Sequence, residues 1–294
     1  MTPATNEPST ASTARSSNAG PDIAGLNTAS SKPQVERSQT APRPGHPRSE
    51  PQAEASLQWS VVIPAFNEAR RLPPYLEEVV GFFEGRGEPW ECVVVDDSST
   101  DGTADTVRAV TARCPAVRAL VLGPRNFGKG GAVRAGMLSA RGRFRLFTDA
   151  DGATPIAELK RLEPALMAGA DVVIGSRGVH DPSVSIRSRP HRVRAGRAFN
   201  RLVASVGLHG IADSQCGFKA FAAQAAQTLF GALRTQGFGF DVEVLLRARA
   251  AGYRVVEVAV NWGDQQGSKV GVLKNGPGML VQVLVAAARV RIGR

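Results

Sequence analysis

From residue 58 onward, short apolar runs alternate with stretches whose apolar residues recur at helical spacing, and this alternation admits few folds. Ser60-Val61-Val62-Ile63-Pro64 reads as a strand, and Asn67 is expected to cap a helix carrying Leu72, Leu76, Val79, Val80 and Phe83. Glu91 to Val95 reads as a second strand, followed by a helix through Val107 and Val110. Val117 to Leu122 is a third, followed by a Gly-rich turn and a helix around Val133, Met137 and Leu138. Phe144 to Thr148 and Asp171 to Gly175 continue the series, with a helix through Leu159, Leu162 and Leu166 between them. Such a series calls for an α/β fold: a mainly parallel sheet with helices on both faces.

Past Gly175 the alternation loosens. Arg177 to Arg201 holds seven arginines against the single acid Asp181. A strand is expected over Cys216 to Phe221, a helix from Phe240 to Ala251 and a strand over Val255 to Val260, with no internal repeat. Residues 1–57 are rich in Ser, Thr, Pro and Ala and present no apolar face, so they are expected to form a disordered arm outside the folded domain of residues 58–275. No basic start leads into an apolar block, and no secretory signal is expected. Residues 276–294 are expected to form a C-terminal amphipathic helix. Its run from Met279 to Ala288 is interrupted by Gln282 and followed by Arg289 and Arg291, short of the roughly 20 apolar residues of a spanning helix. It suits packing on its own domain or lying on a membrane interface.

The net charge is +10. The arm's five basic residues (Arg15, Lys32, Arg37, Arg43, Arg48) balance its five acids, so the excess belongs to the folded part and suits an anionic partner. Phe199 is the only aromatic residue between Arg177 and Arg201, which argues against a nucleic-acid partner. Cys92, Cys114 and Cys216 show no metal-ligand spacing and read as buried, inert thiols in a reducing compartment.

In open parallel sheets, ligands bind beyond the carboxyl ends of the strands. Two of those ends carry acids: Asp96-Asp97-Ser98-Ser99-Thr100-Asp101-Gly102 and Thr148-Asp149-Ala150-Asp151-Gly152. Two carboxylates leaving one strand end repel each other, and a divalent cation shared with a diphosphate relieves the repulsion; Mg²⁺ or Mn²⁺ suits such hard oxygen ligands. Asp97 could accept from a base imide or ribose, or stand aside while Ser98 to Asp101 caps the next helix. Asp96 could cap the turn. Gly128-Lys129-Gly130-Gly131 with Arg134 opens a helix whose amides and cations suit an anion. Neither the phosphate loop of nucleotide hydrolases nor the dinucleotide Gly pattern is matched.

In this order the elements resemble family 2 glycosyltransferases of the GT-A (Rossmann-like) fold. The resemblance rests on Val62-Ile63-Pro64-Ala65-Phe66-Asn67-Glu68, Val95 to Thr103, Asn126 to Ala132, Asp149-Ala150-Asp151-Gly152 and Gly175-Ser176-Arg177. Asp213 to Lys219, Phe240-Asp241-Val242-Glu243, Val258 to Trp262 and Gly267-Ser268-Lys269 narrow it to the dolichyl-phosphate β-glucosyltransferases. That resemblance implies inverting transfer of a hexose, expected to be glucose, from a UDP-sugar to a polyprenyl phosphate, by a peripheral enzyme on the cytoplasmic face of a membrane. Transfer of mannose or an N-acetylhexosamine is the alternative.

By position, Pro64, Phe66, Glu68 and Asp97 would hold the nucleoside, and Lys129 and Ala150 would join the donor site. Asp149 and Asp151 would hold the metal, and Arg177 the phosphates. Ala153 stands where related enzymes place an oxygen ligand, leaving water or Thr154 to complete the shell. Arg189, Arg194, Asp213, Gln215, Lys219 and Asp241 are expected on the acceptor side, with Asp241 otherwise a helix cap. Glu243 is read as structural, and Trp262 as either a lipid-facing edge or a buried ring.

Overall fold

The computed structural model describes residues 57–187, 190–265 and 272–292. Arg189, Ser268, Lys269 and nearly all of the expected arm lie outside the described residues, as does the side chain of Arg194.

Strands β1 (Trp59–Ala65), β2 (Trp90–Asp96) and β4 (Phe144–Thr148) are buried along almost their whole length, as continuous apolar runs in a covered parallel sheet must be. With β3 (Val117–Val121), β5 (Val172–Ser176), β7 (Phe218–Ala222) and β8 (Val255–Ala259) they form a seven-stranded sheet in the order β3-β2-β1-β4-β7-β5-β8. β1 pairs in parallel with both β2 and β4, so the strand order reverses at β1. In a doubly wound sheet the ligand crevice opens at that reversal.

β7 alone runs antiparallel, paired with β4 and β5. Its direction has a functional consequence. The residues just before it, Asp213 to Gly217, arrive at the same edge of the sheet as the ends of β4 and β5, with Thr148 opposite Phe218. A separate parallel pair joins β6 (Ile186–Arg187) to β9 (Trp262–Gly263).

Alternation along the strands feeds two cores. Val61, Ile63, Val94 and Leu146 pack with Leu76, Phe83 and Leu162 under α1 (Leu72–Glu84), α2 (Thr103–Thr111) and α4 (Leu159–Met167). Val62, Val93, Val95 and Phe147 pack with Val133, Met137, Phe230, Phe240 and Val283 under α3 (Gly128–Ser139), α6 (Ala223–Ala232), α7 (Phe240–Ala250) and α8 (Val272–Ile292). Helices on both faces of a mainly parallel sheet are the expected architecture. The arginine-rich segment, for which no element was expected, continues as α5 (Pro190–Ser205).

Two expectations need correction. Asn67 does not cap α1: it adopts a left-handed conformation (φ 55°), and its Oδ1 accepts from the Thr100 amide at 2.8 Å, tying the β1 loop to the β2 loop. The helix starts at Leu72 instead, where Pro73 and Pro74 fit a first turn that needs no amide partners. The C-terminal helix begins at Val272, ahead of residue 276. Gln282, which interrupts its apolar run, accepts from the Gly239 amide at 2.9 Å and so pins α8 to the start of α7.

α8 is apolar on more than one side. Val283, Ala286, Ala287 and Val290 are buried, while Val281, Leu284 and Val285 are 60%, 49% and 40% exposed. Among the described residues no helix is long and apolar enough to cross a membrane. All three cysteines are free and buried; burial, with the charge of Asp213 nearby, pushes the Cys216 thiol up to about 12.

Candidate active site

The loops beyond β1 and β2 hold each other. Asp101 accepts from the Thr103 amide (3.1 Å), the Thr103 hydroxyl (2.5 Å) and the Ala69 amide (3.1 Å), so it opens α2 and clamps the β1 loop. The Thr103 hydroxyl in turn accepts from the Glu68 amide at 2.8 Å. Asp96 caps its turn as expected, accepting from the Ser99 amide at 3.0 Å. Asp97 is buried and accepts from the Phe127 amide at 2.7 Å, so it fixes the loop leading into α3 and is not turned to solvent. Burial raises its pKa; the Phe127 and Gly128 amides oppose the rise. Pro64 ends this edge half-buried, and the Phe66 ring is 42% exposed.

The Gly-rich start of α3 differs from the expectation that its amides are open to an anion. The Gly128 amide donates to Asn126 Oδ1 (2.9 Å), and those of Gly130 and Gly131 donate to the Gln236 carbonyl (2.6 and 3.2 Å). A Cβ on Gly130 would lie 2.4 Å from the Thr235 carbonyl oxygen, so glycine is needed for this approach. Three of the helix's first four amides are spent on internal contacts, and Lys129 reaches the acids through its side chain: its Nζ lies 2.7 Å from Asp149 Oδ1.

Asp149 and Asp151 follow β4 at the reversal of strand order. Asp149 packs on Gly217, where a Cβ would meet its Oδ2 at 2.1 Å, and its amide donates to the Gly217 carbonyl at 3.1 Å. Ala150 between them is buried. Asp151 accepts from the Ala153 amide at 3.2 Å and lies 3.6 Å from Arg71 Nη1. Burial and the Asp149 charge raise the Asp151 pKa, the signature of two carboxylates that cannot both ionise at ease. Arg71, which sequence reasoning missed, is gripped by Glu68 at 2.7 and 2.5 Å, and its Nη1 is buried without a hydrogen-bond partner among the described residues.

Further along the edge, Arg177 and Asp213 are bound to each other. Nε and Nη2 of the guanidinium meet the carboxylate at 2.6 and 2.9 Å, the Arg177 amide adds a bond at 3.0 Å, and the guanidinium lies 5.2 Å from the centre of the Trp262 ring. Burial would raise the Asp213 pKa, but Arg177 holds it below the ordinary carboxylate value. Glu257 on β8 accepts from the Ala212 and Asp213 amides and fixes this turn. Trp262 is half-buried beneath Arg177.

Lys219 is 1% exposed and donates to Asp241 Oδ1 and the Cys216 carbonyl, both at 2.6 Å. Burial raises the Asp241 pKa, with Lys219 and Lys129 opposing. Thus Lys219 and Asp241 form an internal pair beneath the acids. Gln215 has a buried Nε2 without a hydrogen-bond partner among the described residues. Glu243 has the structural role expected: it accepts from the Arg234 and Thr235 amides at 3.1 and 2.8 Å.

A model of glycosyl transferase family 2 matches residues 60–230. The chain belongs to that family. It is a glycosyltransferase, and the GT-A fold expected from the resemblance is the fold observed. It is 40% identical over 228 residues to a dolichyl-phosphate β-glucosyltransferase of Drosophila melanogaster, covering 73% of this chain and 70% of that one. A dolichyl-phosphate β-glucosyltransferase of Trichomonas vaginalis is 38% identical over 226 residues, 74% of this chain and 67% of the other. Among solved structures, glucosyl-3-phosphoglycerate synthase from Mycobacterium tuberculosis, in complex with Mn²⁺, UDP-glucose and phosphoglyceric acid, superposes with a TM-score of 0.61 at 20% identity, covering 80% of each chain.

Proposed function

We propose that this enzyme transfers glucose from UDP-glucose to a dolichyl-type polyprenyl phosphate, with inversion at the anomeric carbon. The observation that carries the reading is the placement of Asp149 and Asp151 at the strand-order reversal, in a chain 38% to 40% identical to dolichyl-phosphate β-glucosyltransferases.

The residues fit a divalent cation. Two carboxylates leave one strand end, one with a raised pKa, and their flanking cations are Lys129 and Arg71. Among the described residues there is no group of three His, Cys, Asp or Glu side chains that could hold a metal, so Asp149 and Asp151 would be the protein's share of a shell completed by phosphate oxygens and water. Mg²⁺ or Mn²⁺ held there supplies positive charge against the departing diphosphate.

The protein's own groups account for the rest. Arg177, held flat by Asp213 and Trp262, and Lys129 offer cationic donors to the phosphates. Asp97 anchors the loop that presents the nucleoside side of the cleft. A lipid phosphate is an anion near neutral pH, so no strong general base is required of the acceptor side. The exposed Val281, Leu284 and Val285 on α8, and separately the arginine-rich sequence from Arg177 to Arg201, suit a peripheral hold on the cytoplasmic face of an anionic membrane.

The test is reconstitution. Purified protein with UDP-glucose, Mn²⁺ and a polyprenyl phosphate forms a glucosylated lipid, and Asp149→Ala and Asp151→Ala each abolish it under saturating donor. Full turnover by either variant would overturn the metal role.

A further inference from the structure

Three cations lie among the acids of the donor site, and they are not equivalent. Lys219 is fully engaged below, by Asp241 and the Cys216 carbonyl. Arg71 is held by both oxygens of Glu68. Lys129 differs in its reach: its ammonium sits 2.7 Å from Asp149 Oδ1, in direct contact with a carboxylate assigned to the metal, whereas Arg71 Nη1 stays 3.6 Å from Asp151. Building on the donor reading above, we propose that Lys129 is an internal competitor of the divalent cation. It holds Asp149 until a diphosphate offers its ammonium another anion, so ion and nucleotide are retained together and neither is retained well alone.

The backbone supports this role. Gly128, Gly130 and Gly131 on either side of Lys129 are tied by their amides to Asn126 and Gln236, and Phe127 is tied to Asp97. The Lys129 backbone is therefore fixed, and only its side chain can change partners. Asp149 is not the ammonium's only attraction: from the same position Nζ lies 5.9 Å from the Phe238 ring centre, and the Asp241 carboxylate also pulls on it. Charge counting agrees. Glu68, Asp149, Asp151 and Asp241 face Arg71, Lys129 and Lys219, which leaves one net negative charge; without Lys129 there would be two, the number a divalent ion neutralises. A cation entering alone meets an ammonium already on its ligand. A diphosphate adds negative charge on the open side, where Lys129 can follow it.

By linkage, nucleotide must strengthen ion binding by the same factor as ion strengthens nucleotide binding, and Lys129 sets much of that factor. Lys129→Met keeps the apolar stem and removes the charge. Mn²⁺ binding to the full-length chain is measured by electron paramagnetic resonance of free Mn²⁺, with and without UDP, and Asp149→Ala subtracts adventitious sites. In the unsubstituted protein, UDP tightens Mn²⁺ binding by about 10- to 100-fold. In Lys129→Met the Mn²⁺ affinity without UDP rises by about tenfold, the reverse of losing a ligand, and the enhancement by UDP shrinks by a similar factor. Lys129→Arg retains the original coupling. If Lys129→Met does not fold by circular dichroism, Lys129→Gln carries the same measurement. Unchanged or weaker Mn²⁺ binding without UDP in the folded variant would overturn the inference, leaving Lys129 a diphosphate contact only. An unsubstituted protein that binds neither UDP nor Mn²⁺ would overturn the donor reading as well.

Discussion

Gly217 is a residue whose side chain would intrude on the chemistry without taking part in it. A methyl group there would lie 2.1 Å from Asp149 Oδ2, 2.3 Å from Cγ and 2.6 Å from Oδ1. Unstrained contacts begin near ~3.5 Å, so in Gly217→Ala the Asp149 carboxylate must retreat by roughly 1 Å. A displacement of about 1 Å in a catalytic constellation costs on the order of 100-fold in rate. Asp149 is one-third exposed and can rotate away, and Gly217 has no left-handed backbone to strain, so the expected loss of stability is below about 1 kcal/mol. The assay is steady-state transfer from UDP-glucose at saturating Mn²⁺, paired with thermal unfolding. The expected result is kcat/KM down about 100-fold with Tm lowered by no more than about 4 °C. Activity within threefold of the unsubstituted enzyme would refute the argument that Gly217 sets the position of Asp149.

Three further outcomes follow from the geometry. Asp213→Asn breaks the buried bidentate pair and costs roughly 3 kcal/mol in urea unfolding, the low end for such pairs because Arg177 is partly solvated. Since the folded pKa of Asp213 is depressed, that contribution is full above the ordinary carboxylate value near ~4 and is lost as pH falls through the folded pKa below it. The stability gap between the two proteins should therefore be flat from about pH 5 to 8 and close only in stronger acid. Lys219→Met leaves Asp241 buried without its partner and costs about 3 to 5 kcal/mol, whereas Lys219→Met with Asp241→Leu costs less than either change alone; a double-variant loss equal to the sum of the two single losses would show that the pair is not coupled. Replacing Val281, Leu284 and Val285 together by Ser should weaken binding to anionic vesicles at least about tenfold while sparing transfer to a short-chain, water-soluble acceptor; unchanged vesicle binding would remove α8 from the membrane contact.

The features readable in the sequence are those set by local pattern. Each of β1 to β5 shows as an apolar run, and the acids after β2 and β4 stand where a parallel sheet opens. Local pattern alone therefore brings Asp149 and Asp151 together. What could not be read is set by contacts across long separations. The antiparallel direction of β7 depends on pairing with β4 and β5, and it brings Gly217 against Asp149 and Asp213 against Arg177. Lys129 was legible as a cation beside a Gly-rich turn. That its neighbouring amides are consumed by Gln236, more than 100 residues away, was not. Arg71 carried a weak local signal, its spacing of three from Glu68, which suggests an ion pair but not an approach to Asp151. α6 had a usable apolar spacing in Ala225, Ala226, Leu229 and Phe230, hidden by its directly following a strand.

The most direct measurement is product analysis with a polyprenyl phosphate, Mn²⁺ and a panel of UDP-glucose, UDP-N-acetylglucosamine and GDP-mannose, with the anomeric configuration of the lipid-linked sugar read by nuclear magnetic resonance. The account predicts a β-linked glucosyl phosphate from UDP-glucose and little from the other donors. Transfer only from GDP-mannose, or an α-linked product, would contradict it.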